Sequence, residues 1–210
     1  MSASPVFTSQ PPAWTTNSVP GFRGHIWAPD IVCLDGTYHL YYSVSTWGSQ
    51  VSAMGLATST DLATGHWIDR GKVIESRSGD PYNRIDPSVL VEPDGRFWLA
   101  FGSYWNGIYL VQLDRATGQR IALDSPVTHL ACNSAIEAAC LWRQGEFHYL
   151  FVNWGKCCRG IESTYNIRVG RAKSVTGPIS TAKVWTCGKV AARCSSRAMG
   201  ASSGRATPAS

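Results

Sequence analysis

The chain has 210 residues, and its hydrophobic content of 44% is enough for a folded core. Its formal net charge of +5 is unevenly placed, because residues 181–210 hold five basic residues and no acidic one while the rest is balanced. A neutral body with a short basic tail has no electrostatic footprint for a nucleic-acid groove, and no run of about 20 apolar residues is present to span a membrane. We therefore expect neither nucleic acid nor a membrane as a partner.

The N-terminal stretch, residues 1–24, is rich in Pro, Ser and Thr, and this composition predicts an extended lead-in. It lacks both the basic start and the apolar core of a signal peptide. From His25 onward, short segments alternate apolar and polar residues, and no helix longer than a turn or two is predicted. Turn signals between the segments favour an all-β propeller or sandwich for residues 25–180.

Three units of similar design follow one another within residues 25–180. Each begins with an acidic residue at the head of an apolar run, continues through a Gly-centred turn and ends in an aromatic strand. The acids are Asp30, Asp86 and Glu137, which lie 56 and 51 residues apart. A period near 50 residues is typical of propeller blades. The pattern therefore predicts about three blades, whose equivalent positions converge and bring distant carboxylates together.

The end of the chain breaks this pattern. After about Thr181 it is rich in Ala, Ser and Gly and nearly free of large aliphatic residues, which predicts a disordered basic tail over 181–210. A reading-frame change near residue 180 would produce such an acid-free tail, and resequencing the source nucleic acid would test that hypothesis. The seven cysteines show no CxxC spacing, so a structural zinc site is not predicted. Cys157 and Cys158 are adjacent and are either separate thiols or a vicinal disulfide.

Eight short stretches together carry a family resemblance over roughly residues 14–178. They are 25–31 (HIWAPDI), 41–45 (YYSVS), 55–59 (GLATS), 83–87 (NRIDP), 101–108 (FGSYWNGI), 135–138 (AIEA), 157–160 (CCRG) and 163–171 (STYNIRVGR). With these stretches the chain resembles the arabinan-degrading members of glycoside hydrolase family 43, especially the endo-1,5-α-L-arabinanases. The resemblance implies a five-bladed β-propeller, of which about three blades are present here, with an active site in the axial cavity.

The resemblance also implies hydrolysis of α-1,5-linked L-arabinofuranose chains with inversion. An inverting glycosidase needs an acid that protonates the leaving oxygen and a carboxylate base that activates water, roughly 6.5–9.5 Å apart. By motif match Glu137 is the general acid, and Asp86 tunes that acid and orients the sugar. The general base belongs to a first blade that has no match here, since no acidic residue precedes Asp30. We therefore expect impaired hydrolysis by this chain.

The family's substrate contacts transfer to a further set of positions. Aromatic rings there would stack on the C–H face of a furanose, although core packing is the alternative for each ring. The predicted substrate-binding residues are Trp47, Gly48, Asn83, Arg84, Ile85, Asp86, Ser103, Tyr104 and Trp105, and Trp27 is a further candidate platform. Asp30 either structures the rim of the pocket or satisfies backbone N–H groups at the start of its strand, and Asp86 taken alone would cap a turn.

Two functions stay open at this point. The first is an inverting arabinan hydrolase weakened by the lack of its base, and the second is a non-catalytic fragment that binds arabino-oligosaccharides. No cofactor is certain, because the family's calcium site would be lost with the unmatched fifth blade. Arabinan or its oligosaccharides are the expected partner of a monomer, and the resemblance implies secretion although no signal peptide is present. The sequence does not decide between endo and exo action.

Overall fold

The computed structural model describes residues 6–7 and 10–179, and these residues are almost entirely β-structure. This confirms the predicted all-β class, while the predicted tail over 181–210 lies outside the described residues. The elements are α1 (Trp14–Ser18), β1 (Ile26–Leu34), β2 (Thr37–Ser45), β3 (Ser52–Ser59), β4 (Ile68–Ser76), β5 (Ser88–Val91), β6 (Phe97–Phe101), β7 (Ile108–Leu113), β8 (Thr128–Ala131), β9 (Ile136–Gln144), β10 (Phe147–Trp154), a 3₁₀ turn (Gly160–Glu162) and β11 (Asn166–Ala172).

The strands pair with their neighbours in the chain and form three antiparallel sheets. Sheet I contains β1 to β4, sheet II contains β5 to β8, and sheet III contains β9 to β11. The first turn of each sheet has a glycine with positive φ, at Gly36 (77°), Gly95 (87°) and Gly145 (59°). Glycine adopts this backbone conformation without a steric penalty, so the Gly-centred turns reverse the chain at these points. Each predicted repeat unit therefore corresponds to one sheet.

The core lies between successive sheets, and the alternation of side chains along the central strand β6 connects its two halves. Phe97, Leu99 and Phe101 are fully buried against sheet I. Trp98 and Ala100 point the other way and join the cluster with sheet III. Burying a large apolar side chain contributes roughly 1.5–3 kcal/mol. Packing on both faces therefore holds sheet II between its two neighbours.

The outer face of sheet I is covered by the N-terminal segment. Residues 14–18 form helix α1 in the stretch that was predicted to be extended. Val19 and Phe22, which follow α1, are buried against Tyr42 and Val44 of β2. The apolar outer face of β2 supplies the surface on which these side chains pack. The pattern of residues within the N-terminal segment alone did not indicate this packing. Within residues 6–7 and 10–179, no helix combines the length and the apolar character needed to cross a membrane.

Candidate active site

The acids of the second and third units meet at one end of sheets II and III. Asp86 lies just before β5, and Glu137 is the second residue of β9. The backbone N–H of Ala138, which follows Glu137, donates a hydrogen bond of 3.2 Å to Oδ2 of Asp86. The backbone N–H of Asp86 is itself held by Oγ of Ser43 at 3.2 Å. The structure thus brings together the two carboxylates that the sequence assigned to catalysis.

The surroundings of Asp86 favour its protonated form. Burial, together with the negative charge of Glu137, raises the pKa of Asp86 to about 6. The hydrogen bond from the N–H of Ala138 acts against this increase but does not cancel it. Asp86 therefore changes its protonation state in mildly acidic solution, whereas an ordinary Asp would already be ionised.

Two hydroxyl groups hold Glu137, one on each carboxylate oxygen. Ser103 donates from Oγ to Oε2 at 2.8 Å, and Tyr165 donates from its hydroxyl to Oε1 at 2.7 Å. Ser103 was predicted to contact substrate, and the structure gives it this hydrogen bond to the proposed acid. Tyr165 was not singled out, although it lies inside the family stretch 163–171. Only the fold reveals this contact, because β11 must first pair beside β10.

Strained backbone is concentrated around Glu137. Positive φ is uncommon for residues other than glycine, and such residues cluster at functional sites. Six described non-glycine residues have positive φ, and apart from Asp35 in the first turn of sheet I they surround the acid pair: Asp86 (57°), Tyr104 (55°), Trp105 (43°), Ala138 (52°) and Cys158 (60°). The backbone N–H of Tyr104 donates to the carbonyl oxygen of Ile136 at 2.7 Å. This bond places the 103–105 turn directly beside Glu137.

The predicted aromatic platforms are accessible to solvent. Trp47 is 79% exposed and Trp105 is 40% exposed, which argues against core packing for both rings. Trp27 lies next to Trp47, with 6.2 Å between the ring centroids. Gly48 follows in the same turn with a φ of 72° and open space around its Cα. Their role in stacking on a sugar stays a prediction.

The segment from Asn83 to Ile85 has a different environment from the aromatic residues. All three side chains are buried. Asn83 accepts a hydrogen bond of 2.5 Å from Oγ of Ser52, and the guanidinium of Arg84 lies 4.6 Å from the ring centroid of Tyr82. These contacts support the chain just before Asp86. Any contribution of these residues to substrate binding stays a prediction. Their burial favours a role in holding Asp86 in position over direct contact with the sugar.

Asp30 connects sheet I to sheet II. Its Oδ2 accepts a hydrogen bond of 2.7 Å from the N–H of Val89, and its Oδ1 accepts one of 2.9 Å from the N–H of Ile31. This geometry favours the interpretation that Asp30 satisfies backbone groups. Among the described residues, no group of three or more His, Cys, Asp or Glu side chains is arranged to hold a metal ion.

Comparisons with known proteins show which family the chain resembles. The family model described as "Glycosyl hydrolases family 43" matches residues 2–189. The extracellular endo-α-(1→5)-L-arabinanase 1 of Bacillus subtilis is 47% identical over 174 residues, which are 82% of this chain and 54% of the relative. The extracellular exo-α-(1→5)-L-arabinofuranosidase ArbA of Cellvibrio japonicus is 37% identical over 187 residues, covering 80% of this chain and 53% of the relative.

A solved structure supports the same assignment. The GH43 endo-arabinanase from Bacillus licheniformis superposes with a TM-score of 0.82 at 41% identity, over 88% of this chain and 64% of that one. The chain thus spans about half the length of the curated relatives it matches. Because the family model matches most of the residues and the Bacillus relative shares nearly half of the aligned ones, the chain belongs to glycosyl hydrolase family 43.

Proposed function

We propose that this chain carries the general acid of an inverting hydrolase that cleaves α-1,5-L-arabinofuranosidic bonds of arabinan. The observation that carries the proposal is the meeting of Asp86 and Glu137 at the ends of two sheets, with Glu137 held through both carboxylate oxygens. Membership of the family and the arabinan-cleaving names of its relatives support the choice of substrate. A β-propeller of five sheets is the proposed architecture of the complete protein.

Glu137 is the proposed general acid, and it transfers its proton to the leaving glycosidic oxygen. Its side chain is only partly buried, so a sugar can approach it, and the hydroxyls of Ser103 and Tyr165 limit its rotation. Such positioning matters because a general acid must lie within hydrogen-bond reach of the atom it protonates. Asp86 orients the sugar, and its pKa depends on the charge of the neighbouring Glu137.

No carboxylate of the 210-residue chain is assigned as the water-activating base. No Asp or Glu precedes Asp30, which already binds backbone N–H groups. Because a general base contributes roughly 10²–10⁴-fold to a rate, we expect this chain to hydrolyse linear arabinan at least about 10²-fold more slowly than a full-length relative. A reducing-end assay with both proteins under the same conditions measures the difference. Equal rates would show that a base is present after all.

The assignment of the acid is tested separately on the remaining activity. We expect Glu137→Gln to abolish it, because the side-chain amide is too weak an acid to protonate the leaving group. Glu146→Gln is the matched control, since Glu146 is a surface residue that pairs with Lys173. Residual activity that is the same in Glu137→Gln and the unmodified chain would contradict the role of Glu137.

A second function, binding without cleavage, is favoured by the exposed ring of Trp47 beside Trp27. Titrating a linear arabino-oligosaccharide while following Trp fluorescence distinguishes the two functions. Binding without new reducing ends supports the binding module, and binding with slow cleavage supports the impaired hydrolase. A chain that neither binds nor cleaves would contradict both.

The cellular setting follows from the same family. Two arabinan-active relatives are named extracellular, and the substrate is a polymer, so we propose that the protein acts outside the cell. For the complete protein a monomeric state stays a prediction, and the loss of the family's calcium site from this chain stays one as well. Detecting the protein in culture supernatant of its source would support secretion, and finding it only in the cell fraction would contradict it.

A further inference from the structure

Two adjacent thiols lie beside the proposed acid and have no part in the chemistry described so far. The Sγ atoms of Cys157 and Cys158 are 2.9 Å apart, and the two residues are not joined by a disulfide. Cys157 is partly buried and Cys158 is exposed. The hydrogen bond between the two thiols, burial and the negative charge of Glu137 together raise the pKa of Cys157 to about 11. The pair therefore interacts electrostatically with Glu137.

The loop that carries these thiols is short and tightly closed. Lys156 and Thr164 form its base, because the N–H of Thr164 donates to the carbonyl oxygen of Lys156 at 3.0 Å and the N–H of Lys156 donates to Oγ1 of Thr164 at 3.0 Å. Gly155 packs so closely that a Cβ there would collide with the carbonyl oxygen of Thr164. The base of the loop is therefore closely packed, whereas residues 158–164 are exposed to solvent.

The exit of the loop reaches the acid directly. Tyr165 follows Thr164 and donates its hydroxyl to Oε1 of Glu137 at 2.7 Å. The backbone of Cys158 already has a φ of 60°, an uncommon value for a residue with a side chain. Movement of the two cysteines is thus connected to Glu137 through the closed base of the loop and the Tyr165 side chain.

A bond between neighbouring cysteines demands such a movement. Consecutive Cα atoms are about 3.8 Å apart across a trans peptide, whereas disulfides usually join Cα atoms about 4.4–6.8 Å apart. The bond would close a small ring and force the peptide between the residues away from its relaxed geometry. Strained and exposed disulfides are the ones that are readily reduced again. A thiol would therefore readily reverse the bond, and its formation requires an excess of disulfide over thiol.

We propose that Cys157 and Cys158 are a reversible two-electron redox site, oxidised by a small-molecule disulfide, and that oxidation weakens the hydrogen bond from Tyr165 to Glu137. The thiolate of the exposed Cys158 attacks one sulfur of the small molecule, which forms a mixed disulfide and releases one thiol. Cys157 then attacks Sγ of Cys158, which forms the vicinal disulfide and releases the second thiol. Two electrons and two protons pass from the protein to the small molecule. The effect on Glu137 rests on the proposed function, but the redox chemistry does not.

The redox site is tested on the whole chain by equilibration with reduced and oxidised glutathione, alkylation of remaining thiols and mass spectrometry of peptides. At oxidising ratios we expect the peptide that contains both cysteines to lose two hydrogen atoms and to resist alkylation, and a reductant to reverse this. The exposed Cys33 and Cys140 serve as internal controls, which we expect to carry glutathione or the alkylating group. Two alkylated thiols, or a lasting mixed disulfide on Cys158, would overturn the proposal.

The coupling to Glu137 is tested by comparing the two redox forms. Losing one hydrogen bond worth about 1 kcal/mol corresponds to roughly a fivefold change in affinity, and we expect a shift of this size for a linear arabino-oligosaccharide. The shift disappears in Cys157→Ser and in Tyr165→Phe, and it persists in the matched control Cys140→Ser. Equal affinities in both forms of the unmodified chain would contradict the coupling.

A second measurement separates this inference from the proposed function. Should neither redox form bind the sugar, the proposed function fails, and hydrogen exchange of the backbone amides in 163–171 still decides the coupling. We expect faster exchange at the start of β11 in the oxidised form, because the Tyr165 contact that anchors it is weakened. Identical exchange in both forms would contradict the coupling whatever the protein binds.

Discussion

Asp86 shows how a single residue combines backbone strain with an unusual charge state. It has a φ of 57° although it precedes Pro87, and a following proline normally restricts a residue to extended conformations. The hydrogen bonds to Ser43 and Ala138 hold this conformation. The same position buries the carboxyl group next to Glu137, so strain and a raised pKa have one structural cause.

We predict that Asp86→Asn stabilises the fold above pH 6 and leaves its stability nearly unchanged at pH 4. The pKa of Asp86 is raised from 3.8 to about 6 on folding, so the folded state holds the proton more tightly. The chain therefore loses stability as the pH rises from about 4 to 6, by at most about 3 kcal/mol. Asn still accepts the hydrogen bond from Ala138 but never ionises.

Urea unfolding at pH 4 and pH 8 checks this prediction. The exposed Asp124→Asn is the control, and we expect it to keep the pH dependence of the unmodified chain. An Asp86→Asn variant whose stability follows the same pH curve as the unmodified chain would show that Asp86 is not the group responsible.

At the scale of elements, a buried ionic cluster joins sheet II to sheet III. Glu92, just after β5, contacts Nε2 of His148 at 2.6 Å and Nε of Arg143 at 3.3 Å. Nδ1 of His148 lies 3.2 Å from the carbonyl oxygen of Lys173. Both ring nitrogens thus face oxygen atoms of other elements. The cluster connects the end of β5 to the β9–β10 hairpin and to the residue after β11.

We predict that Glu92→Gln lowers the free energy of unfolding by about 3 kcal/mol, because it removes the buried carboxylate that both His148 and Arg143 contact. The matched control is Glu146→Gln, whose pair with Lys173 at 2.8 Å is exposed on both sides and should change stability by less than about 1 kcal/mol. Chemical denaturation of both variants provides the comparison. Similar small effects in the two would mean that the buried cluster adds no net stability.

At the scale of the whole molecule, sheet III has one buried face and one exposed face. Leu150 and Val152 of β10 point toward sheet II and are buried. The opposite face exposes large apolar side chains, namely Trp142 (58%), Phe151 (36%), Ile167 (73%) and Val169 (45%). Contiguous exposed apolar surface of this kind promotes association. This face therefore opposes the expected monomeric state of the 210-residue chain.

We predict that the chain self-associates with increasing concentration and that Ile167→Lys weakens the association about tenfold or more, since burying such a side chain contributes roughly 1.5–3 kcal/mol. Ile161→Lys is the control, because Ile161 is equally apolar but lies on the cysteine loop, outside this face. Sedimentation velocity over a range of concentrations measures the effect. Loss of association in the control alone, or a monomer at all concentrations, would contradict the prediction.

Much of the fold followed from local patterns. Alternation of apolar residues and the Gly-centred turns indicated the strands, because both depend on neighbours in the chain. The same pattern singled out Asp86 and Glu137 together with Asp30, and the family resemblance then assigned the first two to catalysis. The helix α1 was missed, since it is stabilised by the outer face of β2. Tyr165 was missed as a partner of Glu137, since the contact joins residues 28 positions apart.

By itself the sequence determined the all-β class, the three units and the identity of the candidate catalytic carboxylates. Only the tertiary structure decided which hydroxyl groups hold Glu137, that Asn83 to Ile85 are buried, and that Asp30 binds backbone N–H groups. The physical reason is that strand formation depends on nearby residues, whereas burial, pKa and hydrogen-bond partners at the site depend on how the sheets pack. The raised pKa of Asp86 exists only after sheets II and III meet.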